Sequence, residues 1–405
     1  MTPVLGNQAA ATSSGEDEVR KERRRGGYQA GERLRRFNQW LYKGQRLGQC
    51  GWRRGATPGL KRSESGRVHW SGIKTCGSVW ACLLCAAKIR AGRAAEVDHL
   101  IKAHLAAGGH STFLTFTLPH YASDDLLSLW EAMTRGCELA TSGGGYQSLK
   151  ARYGILGFIK AVEVTVGLNG WHPHLRVVIF HDTPLNEDDG SLTEFKGRFL
   201  ERWARYIDRE LNRAVSLYHG VDAEIVRDEE GIGSYVSKIN LELTRSDLKE
   251  SRGEKGRTPW QVGVDAADTG DAHHTARWKE WVTVSHSRRA LSISPAIRDA
   301  YPPHETADMT DEELAQAEQD GEIELDVDPD VYDAILHHRH QPLRALVALA
   351  FADHSTQGVL DLLRTVLDRP VYLGRPEPGH TAPIIRFAST QAWRPLTTNP
   401  RRNQT

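Results

Sequence analysis

The 405-residue sequence has no run of eighteen apolar residues, so no stretch of it is long and apolar enough for a membrane-spanning helix. Its first residues lack the charged, apolar and small-residue succession of a secretory signal. From these two absences the chain is expected to be soluble, not secreted, and cytoplasmic, with no membrane partner. Cysteine is scarce, five residues in all, and an intracellular chain would not keep them as structural disulfides. Net charge is also missing, because 52 Lys+Arg balance 52 Asp+Glu. That zero hides an asymmetry. Residues 1–100 carry 19 basic against 8 acidic side chains, whereas residues 301–405 carry 9 against 17. A basic front facing phosphates and an acidic tail facing away from them is the simplest functional reading of that split.

The length suits two domains, or one with appendages. Residues 1–27 are polar, with no apolar periodicity, and read as a disordered basic tail in which Arg23, Arg24 and Arg25 can touch DNA phosphates. Residues 28–108 read as a zinc-knuckle and helix segment. It includes a short helix from about Ala30 to Tyr42 and a long amphipathic one from Lys88 to Ala107. Residues 109–300 form the main domain, 301–330 an acidic, proline-bounded linker, and 331–405 a small helical unit with a tail.

Four of the five cysteines fall at Cys50, Cys76, Cys82 and Cys85. The last pair is a CxxC knuckle, whose spacing lets two thiolates reach one tetrahedral zinc. Structural zinc is therefore the expected use. Cys50 stands well upstream of the others, and His69 is an alternative to it.

The chain is organised around Trp171–Phe180, WHPHLRVVIF. Histidines two apart on a strand point to the same face and can hold one metal ion. Pro173 cannot donate to a ladder, which confines this segment to an edge or to the first residues of a strand. Gly157–Leu168 reads as a second strand, joined to the first by a turn at Asn169 and Gly170. That register sets Glu163 opposite Arg176, on the histidine face. Glu163 is then either a third ligand or half of a cross-strand ion pair. Downstream, Tyr235 and Lys238 stand three apart and share a helix face. Trp278 and Trp281 are expected in the core. The order of strand, helix, two hairpin strands, helix, strand and helix gives an α+β fold, an antiparallel sheet with packed helices.

A His-hydrophobic-His strand followed about sixty residues on by a YxxK helix resembles the HUH endonuclease superfamily. Leu114–Thr117 (LTFT), Glu163–Phe180 (EVTVGLNGWHPHLRVVIF) and Gly233–Ile239 (GSYVSKI) are similar to its three motifs. The flanks Cys76–Glu96 and Ser287–Arg298 resemble rolling-circle replication initiators of plasmids from high-GC bacteria. The likeness runs from about Cys50 to Arg298. It implies the HUH fold and a site-specific, metal-dependent nicking and strand-joining enzyme. Tyr235 would attack a phosphodiester, leaving a 5′-phosphotyrosine link and a free 3′-hydroxyl primer. His172, His174 and Glu163 would hold Mn²⁺ or Mg²⁺, and Lys238 would hold the phosphate or lower the tyrosine pKa. The expected partners are the plasmid origin, double- and single-stranded, and the host helicase and polymerase.

One departure concerns the end of the cycle. Some initiators carry a second tyrosine, or a glutamate, one turn from the nucleophile, where this chain has Gly231 and Ile239. Termination by water, with Glu230 as base, and termination by a second subunit both stay open. A transposase of the same superfamily and a zinc-stabilised, non-catalytic DNA-binding regulator are the other readings. Conjugative relaxases place their tyrosine before the histidines, opposite to the order here.

Overall fold

The computed structural model describes residues 8–55, 57–63, 66, 68–226, 256–317, 322–338 and 341–388. They fall into two compact units. One comprises residues 1–50 with 75–317, the other residues 51–74 with 318–405. The first carries the site and is built on an antiparallel sheet of β3 (His110–Thr117), β4 (Gly157–Gly167), β5 (Gly170–His181), β6 (Val221–Val226) and β7 (Leu291–Ile293). Its strand order is β6-β3-β5-β4-β7. The expected α+β class, an antiparallel sheet with packed helices, is what this unit has.

The two faces of that sheet differ in what covers them. Leu114, Phe116, Leu175, Val177 and Ile179 lie on one face, in a core shared with α3 (Leu126–Ala140) and α5 (Ser191–Leu211). In α5, Phe195, Phe199, Trp203 and Ile207 recur every fourth residue, so one stripe is fully buried. Trp203 ties it to the sheet by donating its indole N–H to the Thr117 carbonyl at 2.9 Å. On the other face, Val97, Leu100 and Ile101 of α2 (Leu83–Ala106) and Ile297 of α8 (Pro295–Ala300) cover Phe113, Ile159, Val178 and Phe180. That cover spans one end of the strands. Toward the other end of the same face stand Thr115, Thr117, Glu163, His172, His174 and Arg176, all half-buried.

Local signals explain most boundaries. Asp125 caps α3 by accepting from the Ser128 amide at 2.9 Å. Thr258 and Gln261 form a capping box ahead of Pro259, which opens α6 (Pro259–Thr269). α4 (Gly143–Tyr153) stops at Gly154, whose φ of +62° suits a residue without Cβ. α7 (Ala272–Ser285) buries Trp278 and Trp281, as expected.

Several expectations need correction. The first helix, α1, runs Gln8–Leu41, well beyond the expected Ala30–Tyr42 and through most of the stretch read as a disordered tail. β5 is an inner strand, so Pro173 takes the second of the two places open to it. Pro173 sits among its first residues, one position past the last β3 pair, Thr117↔His174, where no ladder donor to β3 is required. The hairpin turn is Leu168–Asn169, since Gly167 pairs with Gly170. This moves the register by two residues, so every side chain keeps its face while its direct partner changes. His174, and not Arg176, stands opposite Glu163.

The second unit departs furthest from expectation. Among the described residues it is a five-stranded mixed sheet of order β2-β1-β8-β10-β9 with two helices, rather than a helical unit. Its strands are β1 (Gly59–Arg62), β2 (Val68–Ser71), β8 (Ile323–Val327), β9 (Val371–Gly374) and β10 (Ile384–Phe387), joined by α10 (Pro329–Leu336) and α11 (Leu343–Val366). The supposed linker supplies β8, and within the first unit α9 (Asp311–Gln316). A hairpin from the supposed knuckle segment pairs with β8. Trp70 meets Tyr332 edge-on at 5.1 Å, and the Tyr332 hydroxyl donates to the Gly51 carbonyl at 2.6 Å.

Candidate functional site

The open end of the β3-β5-β4 face gathers the histidines. His172 and His174 share that face with ring centroids 3.9 Å apart. Glu163 lies there too, but its carboxylate accepts from the Arg176 guanidinium at 2.6 Å. The ion pair is one of the two uses open to it in the sequence. Thr117 Oγ1 is 3.3 Å from His174 Nδ1, a contact that orients the ring and leaves Nε2 for a ligand.

Burial, first, and then the neighbouring rings of His174 and His120 push the His172 pKa down to about 3. Burial also lowers that of His174, with Arg176 and His120 adding to it against the opposing charge of Glu163. Both rings are therefore held neutral, the form in which imidazole ligates a metal.

A third histidine joins them. His120, in the loop after β3, stacks on His172 with centroids 4.3 Å apart. Its Nδ1 donates to the Asn169 carbonyl at 2.9 Å, so in the neutral ring Nε2 carries the lone pair. Gly170 makes this approach possible. Its φ is +78°, and a Cβ there would stand 3.1 Å from the Tyr121 carbonyl oxygen. Sequence reasoning missed His120, although it follows the LTFT run by only three residues. The signal was available in Thr115 and Thr117, which alternate onto the histidine face and aim the next loop at it.

The cysteines form a second centre. Cys50, Cys76, Cys82 and Cys85 are buried, with ligand atoms all within 4.8 Å of one another. The Sγ atoms of Cys50 lie 3.7 Å from those of Cys82 and Cys85, and Cys76 is 3.6 Å from Cys85. A tetrahedral zinc with Zn–S near 2.3 Å has S···S edges of about 3.8 Å, whereas a disulfide needs about 2.05 Å. The geometry is that of a four-thiolate metal site, and all four are free thiols. Side-chain hydrogen bonding, that of Cys50 first, and then burial push the Cys76 and Cys82 thiols well above the usual range. Cys50, the least certain ligand from spacing alone, belongs to the set. Cys137 is buried elsewhere in α3. Among the described residues no other group of three or more His, Cys, Asp or Glu is as tightly gathered.

The cluster is anchored by a tryptophan knot. Asn38 of α1 donates to the Ala81 carbonyl at 2.8 Å and accepts from the Trp278 indole at 2.9 Å. Trp281 donates to the Trp80 carbonyl at 2.9 Å, and its ring stacks 6.1 Å from Trp171, next to His172 in the chain.

Tyr235, Lys238 and Glu230 lie outside the described residues, as do the side chains of Arg23 and Arg24. Arg25 is exposed. Among the described residues no helix is long and apolar enough to cross a membrane.

No family model and no solved structure matches the chain. Two curated proteins are similar to it. A protein named "Protein rep" from Streptomyces lividans is 28% identical over 290 residues, 56% of this chain and 63% of that protein. A "Neomycin resistance protein" from Streptomyces cyanogenus is 30% identical over 143 residues, 29% of this chain and 33% of that protein. The chain thus matches less than two thirds of the length of either relative. Both relatives are Streptomyces proteins, and one of them is named as a Rep protein.

Proposed function

We propose that this chain is a rolling-circle replication initiator of the HUH type, which binds a plasmid origin and nicks one DNA strand. The observation that carries the reading is the pair of neutral imidazoles, His172 and His174, at the open end of a five-stranded antiparallel sheet. A relative named Rep supports it. A divalent ion held by His172 and His174 would supply positive charge to the non-bridging oxygens of the scissile phosphate. Glu163, tied to Arg176, is better suited to orienting the site than to direct ligation, and His120 Nε2 is an alternative donor.

In this reading the Tyr235 phenol loses its proton and its oxygen attacks phosphorus. The P–O3′ bond breaks, the departing oxygen takes up a proton as the 3′-hydroxyl primer, and the 5′-phosphate stays on the tyrosine. Lys238 steadies the phosphate or lowers the phenol pKa. The later joining step reverses this chemistry, a 3′-hydroxyl attacking phosphorus and Tyr235 leaving with a proton; if water ends the cycle instead, Glu230 is its base and a free 5′-phosphate end is released. The cysteine cluster holds zinc as a structural element and takes no part in the reaction. Origin DNA and the host helicase and polymerase are the partners this function requires.

Nicking of supercoiled origin DNA by wild type and Tyr235→Phe tests the reading. Loss of nicking in the variant, with DNA binding kept, is the expected result. A variant that still nicks overturns the tyrosine mechanism.

A further inference from the structure

Beyond Glu163 and Arg176, the same region of the first unit opens into a cavity of about 530 Å³. Its walls come from α2, from β4 and the segment entering β7, and from residues 307–312. Five arginines line it, and three are neutralised. Arg176 is held by Glu163, Arg93 by Glu96 and Asp311, and Arg298 by Glu96. The other two differ.

Arg90 is 4% exposed, and only its Nη2 has a partner, the Val79 carbonyl at 3.2 Å. Its Nε and Nη1 are buried without a hydrogen-bond partner among the described residues. The guanidinium lies 4.3 Å from the centre of the Trp260 ring and 6.0 Å from that of Trp80. The rings partly replace water beside it, but they offer no acceptor to the in-plane N–H groups. Burial lowers its pKa well below the ordinary value, the mark of a cation short of a counter-charge. Arg289 is exposed and has no ion pair among the described residues. The remaining wall is apolar at Ile89, Leu291 and Met309, with Ser292, Asp308, Thr310 and Glu312 as polar groups beside it. A buried guanidinium with two vacant donors, an exposed one on the same cavity and an apolar wall match one ligand class: a planar base carrying a phosphate.

We propose that this cavity is a nucleotide-binding pocket in which Arg90 and Arg289 take the phosphate and the Ile89, Leu291 and Met309 wall takes the base. Arg90 and Arg289 take no part in the nicking mechanism proposed above. The same chemistry is offered by a free nucleotide and by one unit of a DNA strand.

The test uses full-length protein labelled with 5-fluorotryptophan, the Trp260 resonance being assigned through Trp260→Phe. Inorganic phosphate, a deoxynucleoside monophosphate and a short single-stranded oligonucleotide are titrated in turn. A shift of the Trp260 resonance with the mononucleotide, weakened at least tenfold by Arg289→Ala, supports a pocket for free nucleotides. The same shift with the oligonucleotide alone, equally weakened, supports a pocket for one unit of the strand. Arg289 is exposed, so its variant should melt at the wild-type temperature. Arg90→Gln, if it folds, should abolish the shift. The proposal fails if no probe moves the resonance, if Arg289→Ala leaves the affinities unchanged, or if inorganic phosphate binds as tightly as the nucleotide. Nicking is measured on the same samples. Nicking without nucleotide binding sinks the pocket alone, and nucleotide binding without nicking sinks only the proposed function.

Discussion

At the scale of the residue, His172 and His174 face a simple discrimination. If they hold one ion against a phosphate, replacing either with Ala removes cleavage and leaves origin binding, because base contacts and DNA shape read the sequence elsewhere. If they only stabilise the sheet, binding and cleavage fall together. Parallel binding and nicking assays separate the two. Their pKa shifts give a second expectation. Folding depresses His172 to about 3 and His181 to about 4, against an unfolded value near 6.5. Between pH 6.5 and 4 the unfolded chain therefore binds protons that the folded chain refuses, so stability falls as pH falls through that window. Denaturant melts in excess EDTA should show this slope, and His172→Ala should flatten it. A slope unchanged in the variant would show that burial of His172 is not its source.

At the scale of the element, the histidine strand, its partner and the helices around them were legible because their periodicities are strong. The hairpin turn was misplaced because Asn-Gly is a stronger local turn signal than Leu-Asn. The φ of +78° at Gly170 and its packing against the Tyr121–Ala122 backbone fix the turn one position earlier. Tertiary contact overrode local propensity there, yet a two-residue slip preserves the face, so the site's composition survived. β1, β2, β9 and β10 were missed for a different reason. Each has four residues, too few for a period-2 pattern to emerge, and the pairing of β1 with β8 joins segments more than 250 residues apart. Asn38 belongs to this scale as well, since it joins α1, the knuckle and α7. Asn38→Ala leaves the Trp278 N–H without its acceptor and frees the Ala81 carbonyl, which should cost about 1–3 kcal/mol in chemical denaturation. The cysteine cluster gives the companion test. Cys82→Ser should lower zinc content and soluble yield together, and full yield without zinc would contradict a structural role.

At the scale of the whole molecule, the domain plan is the part the sequence concealed. An acidic, proline-bounded stretch has linker composition, but its Ile323–Val327 core is a strand that completes a sheet begun at Gly59. The second unit is therefore discontinuous, and residues 51 and 74 are joined by a 2.7 Å backbone hydrogen bond. Ending the chain at residue 317 should strand the β1–β2 hairpin, exposing Leu60 and Trp70, and reduce soluble yield. Replacing residues 51–74 with a short linker in that truncated chain should restore it. The basic front is tested by salt. Removing residues 1–27 should flatten the fall of log affinity with log[salt] without abolishing nicking.

The central claim, a tyrosine nicking enzyme built around the His172–His174 face, is tested most directly by trapping the covalent protein–DNA adduct and mapping it by mass spectrometry. The account predicts one DNA strand joined through its 5′-phosphate to Tyr235, formed only with a divalent ion and absent in His172→Ala. An adduct on another residue, or nicking with no adduct at all, would contradict it.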